Sequence, residues 1–259
     1  MLWKLLRKYK SLSTNSKKLI WGFVFLMLGY FVFLRIYPNK NEWTYIDEFG
    51  IKVPLKFTLH GIDVSHHNGK IDWEKVSSVN ANEVKIDFAF IKVSEGTSII
   101  DKDFKRNWAE SKENGIKRGA YHYYIPWRDP ESQVKIFKKN VSLHSGDFAP
   151  ILDIEENALK ADSKIIKEIG TWLKLIENHY GMKPIIYTNQ AFFNKFIKGN
   201  FENYPLWIAD YTRKNLTLYN EEKLHFWQYS KNGKLEGIKG DVDFNSYLKT
   251  EEEFSRLLK

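Results

Sequence analysis

The chain has 259 residues, no cysteine and a formal charge of +8, with 40 Lys and Arg against 32 Asp and Glu. The length allows one large domain and a short appendage, and the lack of cysteine excludes disulfides, thiol nucleophiles and thiolate metal sites. The excess charge lies in residues 1–40, which hold eight basic residues and no acid, so residues 41–259 carry 32 of each sign. A nucleic-acid-binding domain is therefore not expected, because the main domain has no net charge.

The first predicted element is an apolar helix near the N-terminus. Residues Leu19–Leu34 are uncharged and almost wholly apolar, with Lys18 and Arg35 at the two ends. As a helix this run spans about 24 Å, slightly less than a ~30 Å hydrocarbon core, and adjacent residues extend it. A cleaved signal peptide is the alternative, but no small-x-small cleavage site follows the run. Six basic residues precede it, so we expect an uncleaved single-pass signal anchor with a cytoplasmic N-terminus and an exported remainder.

The rest of the chain divides into a short polar segment and a large domain. Residues 38–57 are polar, of mixed charge, and contain two prolines. We therefore expect a basic cytoplasmic N-terminus over 1–18, a transmembrane anchor over 19–37, a stalk over 38–57 and a globular domain over 58–259.

Within that domain, apolar runs alternate with helical patterns. The clearest helix begins at Ser163 as N-cap and stops at Gly181, and weaker helices are predicted over Asp101–Asn114, Pro130–Asn140 and Gln190–Ile197. Eight runs predict strands: Leu59–Ser65, Phe88–Ser94, Gly119–Tyr124, Pro150–Glu155, Pro184–Thr188, Leu206–Tyr211, His225–Tyr229 and Val242–Asn245. The later strands are joined by connections too short for full helices. The pattern predicts an α/β fold, a TIM-like β/α barrel of about eight strands with an irregular final third.

Reactive side chains lie at the C-terminal ends of the predicted strands, where a β/α barrel places its active site. They are Asp63, Glu95, His122, Tyr123, Asp153, Glu155, Tyr187, Asn189, Asp210 and Gln228, and Asp243 lies in the eighth strand. Several carboxylates at one end of a barrel are typical of glycoside hydrolases. In these enzymes one acid protonates the leaving oxygen and another group stabilises the transition state. The many Trp and Tyr residues are consistent with a sugar-stacking groove, although core packing explains most of them equally well.

The central pair is Asp153 and Glu155, which follow the apolar run of the fourth strand. Strand alternation places both on one face and Glu156 on the other. Two acids on one face repel each other, which raises the proton affinity of at least one of them. The adjacent His66 and His67 are an unfavourable pair of metal ligands, since neighbours on a strand point to opposite sides. No metal or organic cofactor is expected.

The motifs resemble those of the glycoside hydrolase family 25 lysozymes, the Chalaropsis-type muramidases. The resemblance covers about residues 58–258, in the family's order, and rests on Gly61–Gly69, Phe90–Gly96, Gly119–Tyr123, Pro150–Glu155, Pro184–Asn189, Leu206–Tyr211, Phe226–Ser230 and Asp241–Asn245. It implies a flattened barrel whose last strands lack full helices. It also implies cleavage of the β-1,4 bond between N-acetylmuramic acid and N-acetylglucosamine in peptidoglycan.

The resemblance also implies roles for individual residues. Glu155 matches the general acid, and Asp153 matches the residue that orients the 2-acetamido group, whose carbonyl then attacks the anomeric carbon. Asp63 and Asp243 match two further acids of the site, with Asp241 as the alternative to Asp243. Further substrate contacts are expected from Tyr123, Tyr187, Trp207, Gln228, Glu95, His122 and Asp210. The expected partners are peptidoglycan strands and a membrane, and the protein is expected to be a monomer. A non-catalytic wall-binding scaffold and a hydrolase of another N-acetylated glycan, such as chitin, are the alternatives.

Overall fold

A computed structural model describes residues 9, 12–36, 43–157, 159–212, 216 and 223–259. The chain forms two compact units, residues 1–42 and 43–259. The first unit contains helix α1, Thr14–Ile36, which is preceded by Ser13, whose Oγ accepts the Ser16 N–H. Large apolar side chains of α1, including Trp21 and Phe25, are exposed.

The predicted transmembrane segment, 19–37, falls mostly within α1, and residue 37 lies outside the described residues. Among the residues that the structure describes, no helix is both long and apolar enough to cross a bilayer. The membrane anchor therefore stays a prediction.

The second unit begins earlier than the sequence indicated. Residues 43–57, assigned above to a stalk, belong to this unit, and they contain a hairpin of β1 (Thr44–Ile46) and β2 (Ile51–Val53). The ring of Phe49 packs 5.0 Å from that of Phe244, and the Phe49 carbonyl accepts the Lys234 N–H at 2.8 Å. The strands are too short for their alternation to stand out, so the sequence looked like a polar linker. Residues 38–42 of the predicted stalk lie outside the described residues.

All eight predicted strands are present and form a closed barrel. The barrel strands are β3 (His60–Val64), β4 (Phe88–Glu95), β6 (Lys117–Tyr123), β7 (Ile151–Asp153), β8 (Ile185–Asn189), β9 (Leu206–Ala209), β10 (Leu224–Gly233) and β11 (Val242–Tyr247). They follow one another in chain order, and β11 closes the ring on β3. A two-residue strand, β5 (Ile99–Ile100), pairs with the end of β4.

The last barrel strand runs against the others. β11 is antiparallel to both β10 and β3, whereas the remaining neighbours in the ring are parallel. The N-terminal end of β11 therefore meets the C-terminal ends of the other strands, and Asp243, near its start, lies opposite Asp63 of β3. A regular parallel barrel would place Asp243 at the wrong edge.

The four predicted helices are present, together with two short helices, Trp73–Ser78 and Glu251–Ser255, that were not predicted. They are α2 (Trp73–Ser78), α3 (Phe104–Glu113), α4 (Pro130–Asn140), α5 (Asp162–Tyr180), α6 (Gln190–Phe192, continuing as a π-helix over Phe193–Ile197) and α7 (Glu251–Ser255). Ser163 is not an N-cap, because α5 already begins at Asp162 after Ala161, whereas Gly181 does end the helix with a φ of 70°. No helix joins β10 to β11 in the described chain, so the last strands lack the helical layer.

The barrel interior below the mouth is filled by aromatic rings. Phe88 and Phe90 lie 5.2 Å apart, and they pack with Phe148, Phe226 and Trp207. Two strand glycines make this packing possible, because a Cβ on Gly61 or Gly119 would lie within 3 Å of the Phe88 or Phe90 ring. The centre of the barrel is thus a solid floor beneath any site at its mouth.

Candidate active site

Strand alternation carries the inward face of the barrel from the aromatic floor to a polar layer. In a strand, side chains two residues apart point to the same side, so the residue two positions after an inward apolar side chain also points inward. By this rule Lys92 follows Phe90, Asp153 follows Ile151, Tyr187 follows Ile185 and Gln228 follows Phe226. The polar side chains therefore meet in one layer at the C-terminal edge of the parallel strands.

Asp63 and Asp243 form a coupled carboxyl pair in this layer. They are directly opposed in the β3–β11 register, and Asp63 Oδ2 accepts hydrogen bonds from Gln228 Nε2 and Asn245 Nδ2, both at 2.8 Å. Burial, followed by the charge on Asp63, raises the pKa of Asp243 from 3.8 to about 9. Burial also raises the pKa of Asp63, although the donors from Asn245 and Gln228 oppose this. The raised pKa of Asp243 favours its protonated form at neutral pH.

Asp153 and Glu155 form a second acidic pair at the end of β7. Asp153 lies in register between Tyr123 of β6 and Tyr187 of β8. It is 6% exposed, and its Oδ1 has no hydrogen-bond partner among the described residues. Burial and then the charge on Glu155 raise the pKa of Asp153, while Lys92 lowers it.

Glu155 extends the line of β7 beyond the end of the strand. The segment that carries it is held against β8, because the Ile154 N–H donates to the Tyr187 carbonyl at 3.0 Å and Thr188 Oγ1 donates to the Ile154 carbonyl at 2.6 Å. Burial raises the pKa of Glu155, and a hydrogen bond from Asn189 opposes it. The sequence predicted a raised pKa from two acids on one face, and the pKa values are raised in the structure, but burial is the larger cause.

A surface groove begins at Glu155. It has a volume of about 630 Å³ and is lined by Glu155, Glu156, Asn157, Leu159, Asn189, Ala191, Phe192, Lys195 and Phe196. Asn189 connects this groove to the barrel, since its Oδ1 accepts the Phe192 N–H at the start of α6 and its Nδ2 donates to the Glu155 carbonyl at 3.3 Å. Glu155 therefore borders both the acidic layer and an open cleft.

Gln228 connects the acids to two tyrosines. Its Oε1 accepts the hydroxyls of Tyr187 at 2.9 Å and of Tyr211 at 2.5 Å, while its Nε2 donates to Asp63. Gln228 is buried, whereas Tyr211 is 45% exposed. The amide thereby fixes the positions of Asp63 and of two aromatic rings.

Tyr123 and Glu95 lie at the opposite side of the mouth and share a lysine. Lys92 Nζ is 2.7 Å from Glu95 Oε2 and 4.9 Å from the centre of the Tyr123 ring. The charge on Lys92 also lowers the pKa of Asp153, so Lys92 connects this side of the mouth electrostatically to the central acid pair.

Three predicted contact residues lie beneath or behind this layer. His122 points outward to the helices, where it contacts Ser94 Oγ at 2.8 Å and stacks on Trp172, and burial lowers its pKa to about 4. Trp207 is 1% exposed and belongs to the aromatic floor. Asp210 is buried and accepts hydrogen bonds from the N–H and hydroxyl of Thr212. The structure brings none of these three side chains to the surface of the site.

The structure adds residues that sequence reasoning missed. Asn245 holds Asp63 and also accepts the Trp207 Nε1 hydrogen bond at 2.8 Å. Tyr121 lies among the acids, since burial and then the charges of Asp63 and Asp153 raise its pKa. Inward alternation from Phe90 could have identified Lys92. Of the two candidates for the last acid of the site, Asp243 lies in the site, whereas Asp241, just before β11, is a surface residue paired with Lys234 at 2.6 Å.

No group of three or more His, Cys, Asp or Glu side chains within the described ranges is arranged to hold a metal ion. The acids are arranged for proton transfer, because burial raises the pKa of the carboxyls in both pairs and Glu155 borders an open groove.

Comparisons with known proteins agree with this arrangement. Residues 62–238 match the family model for glycosyl hydrolases family 25. The chain is 39% identical to the protein YegX of Escherichia coli O6:H1 over 85% of its own length and 80% of that protein. It is 32% identical to Lysozyme M1 of Streptomyces globisporus, covering 73% of this chain and 67% of that one.

Solved structures give the same result. A family 25 glycosyl hydrolase from Bacillus anthracis aligns with a TM-score of 0.71 at 30% identity, over 79% of this chain and 95% of that one. A bacterial lysozyme from Streptomyces coelicolor aligns with a TM-score of 0.69 at 29% identity, over 77% and 96%.

Proposed function

Because the chain belongs to glycosyl hydrolase family 25, we propose that it is a peptidoglycan muramidase. It hydrolyses the β-1,4 bond between N-acetylmuramic acid and N-acetylglucosamine. The observation that carries this proposal is the pair of Asp153 and Glu155: Asp153 is buried and one of its oxygens has no partner among the described residues, and the half-buried Glu155 borders an open groove.

The two acids of this pair have different tasks. Glu155 borders the groove and is the general acid, because burial raises its pKa and favours its protonated form. Asp153 Oδ1 is the acceptor for the N–H of the substrate's 2-acetamido group. Such a hydrogen bond stabilises the charged form of Asp153. Since two adjacent carboxyls resist ionising together, the remaining proton then stays on Glu155.

The reaction follows from this division. Glu155 transfers its proton to the glycosidic oxygen as that bond breaks, and the acetamido carbonyl oxygen, oriented by Asp153, bonds to the anomeric carbon from the opposite face. Glu155, now a carboxylate, removes a proton from water, which attacks the same carbon and releases the acetamido oxygen. Two displacements give net retention of configuration.

The other polar residues shape the charge and position of the substrate. The Asp63–Asp243 pair holds one negative charge near the developing positive charge of the sugar ring. Tyr187 and Tyr123 flank Asp153 in register and border the sugar. Gln228 and Asn245 keep Asp63 in place.

The N-terminal segment attaches this enzyme to a membrane, with the catalytic domain on the extracytoplasmic side. Support comes from the uncharged run Leu19–Leu34, the six basic residues before it and the exposed apolar side chains of α1. If the full-length protein stays in the membrane fraction after an alkaline wash, the result supports attachment. Release of a form lacking residues 1–37 contradicts it.

Product analysis tests the proposed activity. Full-length protein is incubated with purified peptidoglycan, and the fragments are reduced with borohydride and identified by mass spectrometry. A muramidase leaves N-acetylmuramic acid at every new reducing end. New ends of N-acetylglucosamine, or cleavage of chitin in preference to peptidoglycan, contradict the proposed bond. Wall binding without any fragments indicates a non-catalytic scaffold.

A further inference from the structure

A second groove, which shares no lining residue with the Glu155 groove, lies against β10 and the residues that follow β9. It has a volume of about 590 Å³, within the range of about 300–1,000 Å³ that is usual for ligand sites. The N-terminal hairpin supplies one wall, including Tyr45, Ile51 and Lys52, and the barrel supplies the other, including Tyr211 and Asn232. The hairpin precedes the part of the chain that the family model matches, residues 62–238.

Tyr211 makes this groove continuous with the acidic layer. Its hydroxyl donates to Gln228 Oε1, the atom that also holds Tyr187. Burial and then the charges on Asp243 and Asp63 raise the pKa of Tyr211. The same ring lines the groove and is 45% exposed, so this one side chain borders the groove and contacts the acidic layer.

The hairpin presents a second aromatic ring to the groove. Tyr45 and Lys52 are directly opposite each other in the β1–β2 register, and both are exposed, while Ile46 and Ile51 are buried. Burial of those two residues fixes the outward direction of Tyr45, which is 54% exposed. Exposed tyrosine rings with polar groups around them suit the apolar faces and hydroxyls of a sugar.

We propose that this groove is an additional glycan-binding site, built by the hairpin, that holds sugars of the same strand beyond those at the bond being cleaved. Tyr45 and Tyr211 stack on the sugar rings, and Lys52 pairs with the free carboxylate of a muramic acid unit that carries no peptide. The inference rests on the proposed muramidase function and deepens it. It predicts that long strands are cleaved more efficiently than short ones, and that the difference depends on Tyr45.

The test compares Tyr45→Thr with Tyr45→Phe in full-length protein. Threonine keeps the strand propensity of the position but removes the ring, and phenylalanine keeps the ring. The substrates are glycan strands freed of peptides, either polymeric or cut to the shortest length that the wild type cleaves. We expect Tyr45→Thr to lower kcat/KM about tenfold on polymeric strands, equivalent to about 1.4 kcal/mol. On the short substrate both variants stay within about twofold of wild type.

Equal effects of Tyr45→Thr on long and short substrates, or no effect on either, overturn the proposal. An effect seen only with peptide-bearing strands also overturns it, because the groove then binds the peptide. A binding measurement separates this proposal from the muramidase proposal. Tyr45→Thr in a Glu155→Gln background should weaken the binding of polymeric strands about tenfold. If Tyr45→Thr weakens binding but the wild type cleaves no substrate, only the muramidase proposal is contradicted. If Tyr45→Thr leaves binding unchanged, the groove proposal is contradicted.

Discussion

Asp243 provides a sharp test of the proton assignment, because its protonated form can be imitated. With a pKa raised to about 9, the protonated form of Asp243 predominates at pH 7. Asparagine has the same shape and an amide donor in place of the carboxylic O–H. We therefore expect Asp243→Asn to keep kcat/KM at pH 7 within about threefold of wild type, although the residue is an acid in the active site.

The same substitution changes how stability depends on pH. The folded-state pKa of Asp243 lies above its unperturbed value of 3.8, so the folded protein binds more protons than the unfolded chain between these two values. The stabilisation that Asp243 contributes by binding this proton is complete below about pH 4. It is lost as the pH rises toward 9, by up to about 1.4 kcal/mol per pH unit. Asp243→Asn removes this contribution, so its melting temperature should fall less between pH 5 and pH 8 than that of wild type.

Initial rates on peptidoglycan at pH 7 and thermal melts across pH 5–8 measure both effects. A matched control is the double variant Asp63→Asn/Asp243→Asn, which removes the one negative charge that the pair retains and should lose at least about tenfold more activity. A hundredfold loss in the single variant, with an intact melt, refutes the assignment, because a carboxylate at Asp243 is then required.

Two further predictions concern buried polar contacts. Gln228→Leu removes one of the two donors to Asp63 Oδ2 and the acceptor of the Tyr187 hydroxyl. We expect about 2–4 kcal/mol of destabilisation in urea unfolding together with lower kcat; an unchanged unfolding midpoint contradicts the role of the amide. Arg118→Ala removes the ion-pair partner of the buried Asp147, whose Oδ1 lies 2.7 Å from Arg118 Nε. We expect the free energy of unfolding to fall by about 3–5 kcal/mol. Its kcat at a temperature where it is folded should match wild type, because the pair lies away from the acids; a loss of kcat there contradicts this.

The fold was largely predictable because most of its strands are largely apolar runs, and each of the eight predicted strands became a barrel strand. The direction of β11 was not predictable, since an alternating segment such as Val242–Tyr247 has the same pattern in either direction. The hairpin was missed for a related reason. Three-residue strands with only Ile46, Ile51 and Val53 buried carry too little periodicity to distinguish them from a linker.

The acids of the site were predictable from their position after apolar runs, but its neutral residues were not. Asn245 and Tyr211 acquire their roles through contacts with Gln228 and Asp63 that join distant parts of the chain. Proximity to a strand end was also too coarse a criterion for His122. It lies between two inward-facing tyrosines, Tyr121 and Tyr123, so alternation turns it toward the helices.

The assignment of Glu155 as the proton donor is the central claim, and its neighbour offers a matched control. Glu155→Gln and Glu156→Gln remove one carboxyl each from adjacent positions, but Glu155 is half-buried, with a pKa raised by burial, whereas Glu156 is exposed. Both variants are assayed as full-length protein on purified peptidoglycan, with reducing ends quantified by mass spectrometry. The account predicts a loss of roughly a hundredfold or more for Glu155→Gln and less than about threefold for Glu156→Gln. Equal rates for the two variants would contradict it.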